Sequence, residues 1–188
     1  MSNTDAIIIY AWMALGIVWL VTAFTSKRTV RRQSAGSRLM EVALGILAGV
    51  FLANIFTVGF LYKRFTPISP FSDAAGASLT LAGIAFSLWA RFRLGRNWSG
   101  AVTLKQDHQL IRSGPYSIVR HPIYSGFLLA LTGTAIARGT VSALIGVGAA
   151  TVTLWLKSRT EEAFMTDQFG SEYLEYKREV KALIPFIW

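Results

Sequence analysis

The chain has 188 residues, 53% hydrophobic and 13% aromatic, with 19 Lys and Arg against 10 Asp and Glu for a formal net charge of +9. Soluble domains carry roughly 45 to 50% apolar residues, so this composition disfavours a water-soluble domain and leaves nucleic acid or an anionic membrane surface as reasons for the basic excess. With no cysteine and only His108 and His121 as histidines, disulfides, thiolate nucleophiles, Cys-ligated metals and a His-rich metal centre are excluded.

Met1 to Asp5 carry no Lys or Arg, so the apolar run that follows lacks the basic start of a cleaved signal and is expected to remain as a membrane helix. Ala6 to Phe24 is a run of 19 residues without a charge. At about 1.5 Å per residue that is close to the length that crosses roughly 30 Å of hydrocarbon. Val42 to Leu61 is a second such run, of 20 residues, with Gly45 and Gly49 at a spacing that lets another helix approach closely. Ala74 to Ala90 is the third, of 17. Pro122 to Ala137 and Val141 to Leu156, 16 residues each, are separated only by Arg138, Gly139 and Thr140, which predicts a tight antiparallel helical hairpin. Beyond Leu156, Glu161 to Gln168 extend the fifth helix out of the bilayer, Phe169-Gly170 stop it, and Ser171 is placed to cap a further helix. In that helix Tyr173, Tyr176, Val180 and Leu183 recur at three- and four-residue steps, an amphipathic pattern that predicts a helix on the membrane surface or over a site.

Short cytoplasmic loops carry the excess of Lys and Arg, and this chain sorts its basic residues sharply. Five follow the first span (Lys27, Arg28, Arg31, Arg32, Arg38), six follow the third (Arg91, Arg93, Arg96, Lys105, Arg112, Arg120) and five follow the last (Lys157, Arg159, Lys177, Arg178, Lys181). Only Lys63, Arg64 and Arg138 fall on the other side, so 16 against 3 accounts for all 19. The expected molecule is an all-α polytopic integral membrane protein with five transmembrane helices, the N-terminus outside and the C-terminus cytosolic. Residues 1–90 supply three N-terminal helices, and residues 91–188 form the catalytic region of cytosolic loop, helical hairpin and cytosolic tail. The charge then belongs to membrane topology, and the expected partners are the lipid bilayer and a lipophilic substrate, with no nucleic acid.

The chemically suggestive residues lie in two clusters on the cytosolic side. Pro122 is pre-set for the first position of a helix with His121 at its cap, which leaves the N–H groups of Ile123 and Tyr124 unpaired at the positive end of the helix dipole. That end suits a carboxylate or a phosphate. Arg159, Glu161 and Glu162 sit just past the exit of the last span. A hairpin brings the start of one helix and the end of the other together, so the clusters meet. Read without the other, each cluster is equally consistent with interfacial residues snorkelling to headgroups or with a solvated helix end.

The order L-x-x-D-H-x-L-I-x-x-G-P-Y-x-x-V-R-H-P-x-Y-x-G from Leu104 to Gly126, then Glu161-Glu162, then F-G-x-E-Y-x-x-Y from Phe169 and a final Ile184-Pro185, resembles the isoprenylcysteine carboxyl methyltransferase family. That family's relatives include phospholipid and phosphatidylethanolamine methyltransferases. The resemblance implies a methyltransferase with a pocket for S-adenosylmethionine, lined by His108, Gln109, Leu110 and Ile111, by Tyr116, and by His121, Pro122, Ile123 and Tyr124. It implies that one of Glu161 and Glu162 contacts the cofactor. Arg159, or Lys157 in another register, matches an arginine that binds the substrate, and Arg120 joins Arg159 as a basic residue expected to serve the reaction. A lipophilic methyl acceptor is expected to enter from the bilayer. Two other classes remain open at this point: an NADPH-dependent sterol-type reductase with a similar set of late helices, and a non-catalytic membrane protein or small transporter.

Overall fold

The computed structural model describes residues 2–25, 27–55, 58–98, 103–105 and 109–187. Its architecture is helical. Helix α1 (Asn3–Ala23) starts from Ser2, whose hydroxyl accepts from the Asp5 N–H while the Asp5 carboxylate accepts from the Ser2 N–H. Helices α2 (Ala35–Leu52) and α3 (Pro70–Leu94) are likewise capped by the hydroxyls of Ser34 and Ser69, and α3 carries proline in its first turn. Then come α4 (Pro122–Arg138), α5 (Val141–Phe169) and α6 (Ser171–Glu179). Each cap satisfies an N–H that the first helical turn leaves without a partner. Among the described residues, four helices are long and apolar enough to cross a membrane: α1, α2, α3 with its continuation to Asn97, and α5. At 17 residues α4 falls short of the usual crossing length of about 20.

Two expectations are corrected. The second helix runs from Ala35 to Leu52, not from Val42 to Leu61, because Ser34 caps it early and Asn54, at φ +53°, turns the chain away. An uncharged run locates the apolar part of a helix, while caps set its ends. Second, Gly45 and Gly49 face open space, so none of the described helices approaches there. The architecture is all-helical as expected, with one short strand pair added: β1 (Thr29–Arg32) pairs antiparallel with β2 (Thr103–Lys105), which ties the α1–α2 connection to the loop after α3.

The close approach lies instead between α3 and α4. A Cβ on Gly83 would sit 2.5 Å from the Gly126 carbonyl, and one on Gly133 would sit 2.5 Å from the Thr80 nitrogen. Gly76 and Gly83 on α3 are seven residues apart, as are Gly126 and Gly133 on α4, so the glycines recur on one seam. Along it Thr80 donates to the Ala130 carbonyl at 3.2 Å and Ser87 to the Ile123 carbonyl at 3.1 Å. Lipid tails are as apolar as Leu, so helix association in a bilayer draws on such backbone contact and polar pairs rather than on hydrophobic burial. The distribution agrees, since Ala77, Ala90, Ala130 and Ala143 are buried while Phe71, Ile17 and Ile46 are exposed.

Only Gly139 and Thr140 separate α4 from α5, and Gly139 takes φ +69°. The two helices touch each other, but each has a more extensive partner elsewhere. Helix α4 lies along α3, and α5 lies along α2, where a Cβ on Gly146 would sit 2.8 Å from the Ala48 carbonyl. The two helices meet again at their far ends, where Tyr124 and Glu161 touch.

Candidate active site

The far ends of α4 and α5 enclose a cavity of about 310 Å³, completed by α1, the end of α3, β2 and α6. Its floor begins with Gly114–Ser117, a turn of 3-10 helix opened by Gly114 at φ +65°, which buries Tyr116. The chain then reaches α4 beside the C-terminal tail. The Arg120 N–H donates to the Lys181 carbonyl at 2.8 Å, the His121 N–H to the Ala182 carbonyl at 3.0 Å, and the Ser125 hydroxyl to the Leu183 carbonyl at 2.5 Å. Helix α6 thus ends at Glu179, short of the periodic Leu183, whose side chain is buried from the tail instead. Helix α6 covers the site: Tyr173 and Tyr176 line the cavity, and the Tyr176 hydroxyl donates to the Tyr116 carbonyl at 2.5 Å.

The two glutamates have different surroundings. Glu162 is the hub of a buried ionic cluster. Its Oε1 accepts from Arg120 Nε at 2.9 Å and Nη2 at 2.5 Å and lies 3.3 Å from His121 Nε2, while its Oε2 lies 2.7 Å from Lys177 Nζ. Arg120 Nη1 also donates to the carbonyls of Lys177 and Val180, near the end of α6. The side chains of Arg120 and Glu162 are each 7% exposed. Glu161 keeps 30% exposure, lines the cavity, accepts from the Tyr124 hydroxyl at 2.8 Å and lies 3.4 Å from His121 Nδ1. The His121 and Tyr124 rings stack at 5.4 Å.

Burial works against charge at both groups, and the cluster overrides it. His121 is raised from its ordinary range because both glutamates bond its ring. The donors His121, Lys177 and Arg120 hold Glu162 well below the usual carboxylate range. The site is therefore a fixed arrangement of charge with one carboxylate, Glu161, turned to the open space.

Of the residues singled out in the sequence, Gln109, Leu110, Ile111, Tyr116, Arg120, His121, Pro122, Ile123, Tyr124 and Glu161 all line this cavity. His108 lies outside the described residues. Glu162 stands behind the wall, and Arg159 is exposed and absent from the lining. Helix phase is the reason: Leu154, Lys157, Glu161 and Met165 recur at three- and four-residue steps and all line the cavity, while Arg159 falls on the other side of α5. His121 makes no side-chain capping bond to the first turn of α4. Sequence reasoning missed Trp19, Asn97, Trp98, Thr103 and Phe127. The three- and four-residue periodicity of α5 was a usable signal for Leu154 and Met165. Trp19, far away in α1, gave none.

A sequence profile described as phospholipid methyltransferase matches residues 71–172, more than half of the chain. The chain belongs to the family of phospholipid and isoprenylcysteine methyltransferases. A probable protein-S-isoprenylcysteine O-methyltransferase of Oryza sativa subsp. indica is 31% identical over 174 residues, 89% of this chain and 87% of that protein. The protein-S-isoprenylcysteine O-methyltransferase B of Arabidopsis thaliana is 29% identical over 119 residues, 60% of this chain, and the match spans only 58% of that protein's length. The Schizosaccharomyces pombe protein-S-isoprenylcysteine O-methyltransferase is 35% identical over 105 residues, 52% of this chain and 43% of its own length. The profile starts in α3 and ends in α6, so it contains the glycine seam of α3 with α4 and, of the ionic cluster, Arg120, His121, Glu161 and Glu162. Membership in this methyltransferase family implies a methyl donor.

Proposed function

We propose that this chain is an integral membrane methyltransferase that takes its methyl group from S-adenosylmethionine and delivers it to a lipophilic acceptor entering from the bilayer, most like the isoprenylcysteine carboxyl O-methylation for which its relatives are named. The observation that carries this reading is Glu161, a carboxylate turned into a largely apolar cavity and braced by Tyr124 and His121. Such a group suits the amino or ribose hydroxyl groups of the donor, and the tyrosine and tryptophan faces around it suit a cationic sulfur. The first-turn N–H groups of Ile123 and Tyr124 suit its carboxylate. Gln109, Leu110, Ile111 and Tyr116 line the same space, so the residues present fit the group.

A bound sulfonium brings a methyl group that is already activated, and the protein's task is alignment and the exclusion of water. Arg120 and Glu162 do not touch the reacting atoms in this reading. They lock α6 and the tail against the start of α4, which keeps Tyr173 and Tyr176 over the cavity. Lys157, on the same face of α5 as Glu161, takes the place first given to Arg159 and attracts an anionic acceptor. A carboxylate acceptor, with a reference pKa of about 3.5, is ionised near neutrality and needs no base. An amine acceptor of the phospholipid kind must lose a proton, and Glu161 or His121 is the group to take it.

In the membrane, α1, α2, α3, α4 and α5 make five crossings, α4 spanning with the help of its flanking loops. The 16 basic residues on one set of connections, against 3 on the other, support a cytosolic position for the cavity, with the N-terminus outside. Residues 91–188 then form the catalytic region, and Trp19 of α1 completes its wall.

Two measurements test the reading. S-adenosylhomocysteine should raise the melting temperature of the detergent-purified protein, and labelled donor should pass its methyl group to one member of a panel of prenylated cysteines and phospholipids. Absence of both effects, or stabilisation by NADPH in their place, defeats it.

A further inference from the structure

Four buried side-chain polar atoms among the described residues have no hydrogen-bond partner: Glu41 Oε1, Arg91 Nε, Asn97 Oδ1 and Thr103 Oγ1. Buried polar groups are paired in the great majority of cases, so orphans gathered in one place point to a missing partner. Three of the four lie in the stretch that leads from the end of α3 into β2, and two of these, Asn97 and Thr103, line the cavity. Asn97 is 8% exposed and Thr103 9%. Neither hydrogen-bonds to the ionic cluster of Arg120, His121, Glu161, Glu162 and Lys177, whose members are occupied with one another.

The scaffold holds both residues in place. Asn97 closes a 3-10 turn at the end of α3 that begins at Gly95, φ +57°. Arg91, 2% exposed, gives Nη1 to the Gly95 carbonyl and Nη2 to the Thr22 carbonyl, both at 2.8 Å, and lies 4.3 Å from the Trp98 ring. Its charge is thus engaged by the last carbonyls of α1 and α3. Trp98 meets Trp19 edge to face at 5.9 Å, and both indoles line the cavity. Thr103 is fixed by the strand pairing, opposite Arg32.

A carboxamide offers an acceptor and two donors in one plane and turns about a soft terminal torsion, and a hydroxyl offers one of each. With no ionised side chain bonded to them, these groups suit a neutral partner. We propose that Asn97 and Thr103 form a hydrogen-bonding subsite that receives a neutral amide-type edge, an N–H beside a lone-pair acceptor, from a ligand in the cavity. The inference rests on the methyltransferase reading of that cavity. Two ligand parts carry such an edge: a purine, which pairs with asparagine through two bonds, and the amide of an N-acylated prenylcysteine. The flat indole walls beside Asn97 favour the purine.

The test compares two ligand pairs on the full chain in detergent. One pair is S-adenosylhomocysteine and its 6-deamino counterpart, whose purine edge carries no N–H, compared by Kd. The other is N-acetyl-S-prenylcysteine and the S-prenyl mercaptopropionate that lacks the amide, compared by KM. The wild type should prefer the amide-bearing or adenine-bearing member roughly tenfold in one arm, equivalent to about 1.4 kcal/mol. Asn97→Ala and the near-isosteric Asn97→Leu, which carries no hydrogen-bonding atom, should bring that ratio to within about twofold of one, and Thr103→Val should lower it. Because each ratio is internal to one variant, a uniform loss of folded protein leaves it unchanged. A ratio that collapses in the cofactor arm assigns the purine, and one that collapses in the acceptor arm assigns the amide. Ratios near one in both arms of the wild type, or variants that keep the wild-type ratio, overturn the subsite while S-adenosylhomocysteine binding keeps the methyltransferase reading. A wild type that binds no S-adenosylhomocysteine overturns that reading and the subsite together.

Discussion

Replacing Glu162 with Gln keeps the shape of the side chain and removes the charge on which three cations converge. Arg120 and Glu162 are each 7% exposed, so the substitution leaves a guanidinium buried without its counter-ion. Breaking a buried pair from one side costs about 3 to 5 kcal/mol, and in a chain of this size each kcal/mol shifts Tm by about 2 to 4 °C. The expected loss is therefore about 6 to 20 °C. Glu161→Gln is the control, because its side chain is 30% exposed and the amide oxygen still accepts from the Tyr124 hydroxyl. It should cost less than about 1 kcal/mol of stability. Its effect should fall on the ligand instead, with S-adenosylhomocysteine affinity down at least roughly tenfold. Intrinsic fluorescence melting of both variants in detergent, using the six tryptophans, with ligand titration of each, separates the two roles. Equal melting shifts for the two variants, or a Glu162→Gln protein that melts like the wild type, would refute the division of labour.

Other outcomes follow from the same geometry. The raised pKa of His121 stabilises the fold fully below about pH 6.5, the unfolded value, and that contribution is lost as pH rises through the higher folded value. Melting temperature should fall over that window, and His121→Gln should flatten the fall; an unchanged slope in the variant counts against a charged His121. Lys157→Met should raise the acceptor KM several-fold while Arg159→Met leaves it near wild type, and the reverse pattern in steady-state assays returns the role to Arg159. Gly83→Ala forces a Cβ to within 2.5 Å of the Gly126 carbonyl and should cost about 1 to 3 kcal/mol or prevent folding, whereas Gly45→Ala, which meets open space, should be neutral or slightly stabilising. Folded yield and Tm of the two variants distinguish a specific seam from a general intolerance of helix glycine replacement.

What the sequence by itself determined was the material of the fold and the neighbourhood of the site. Uncharged runs separated by basic loops required membrane helices, because charge is costly inside a bilayer, and Pro122 marked the start of α4 at the right residue. The brief link at Gly139-Thr140 brought the start of α4 and the exit of α5 into one region, so Tyr124 and Glu161 meet across 37 positions of sequence. The tertiary structure decided everything that depends on rotation about a helix axis. Consecutive residues differ by about 100° around a helix, a local rule that says Glu161 and Glu162 face apart but not which of them faces the cavity. That phase is set by the partner helices: the glycine seam of α3 with α4, the packing of α2 on α5, and the tail strapped to Arg120. The same packing turned Lys157 inward and Arg159 outward, and it delivered Trp19, Trp98, Asn97 and Thr103 to a wall that no spacing within the chain announced.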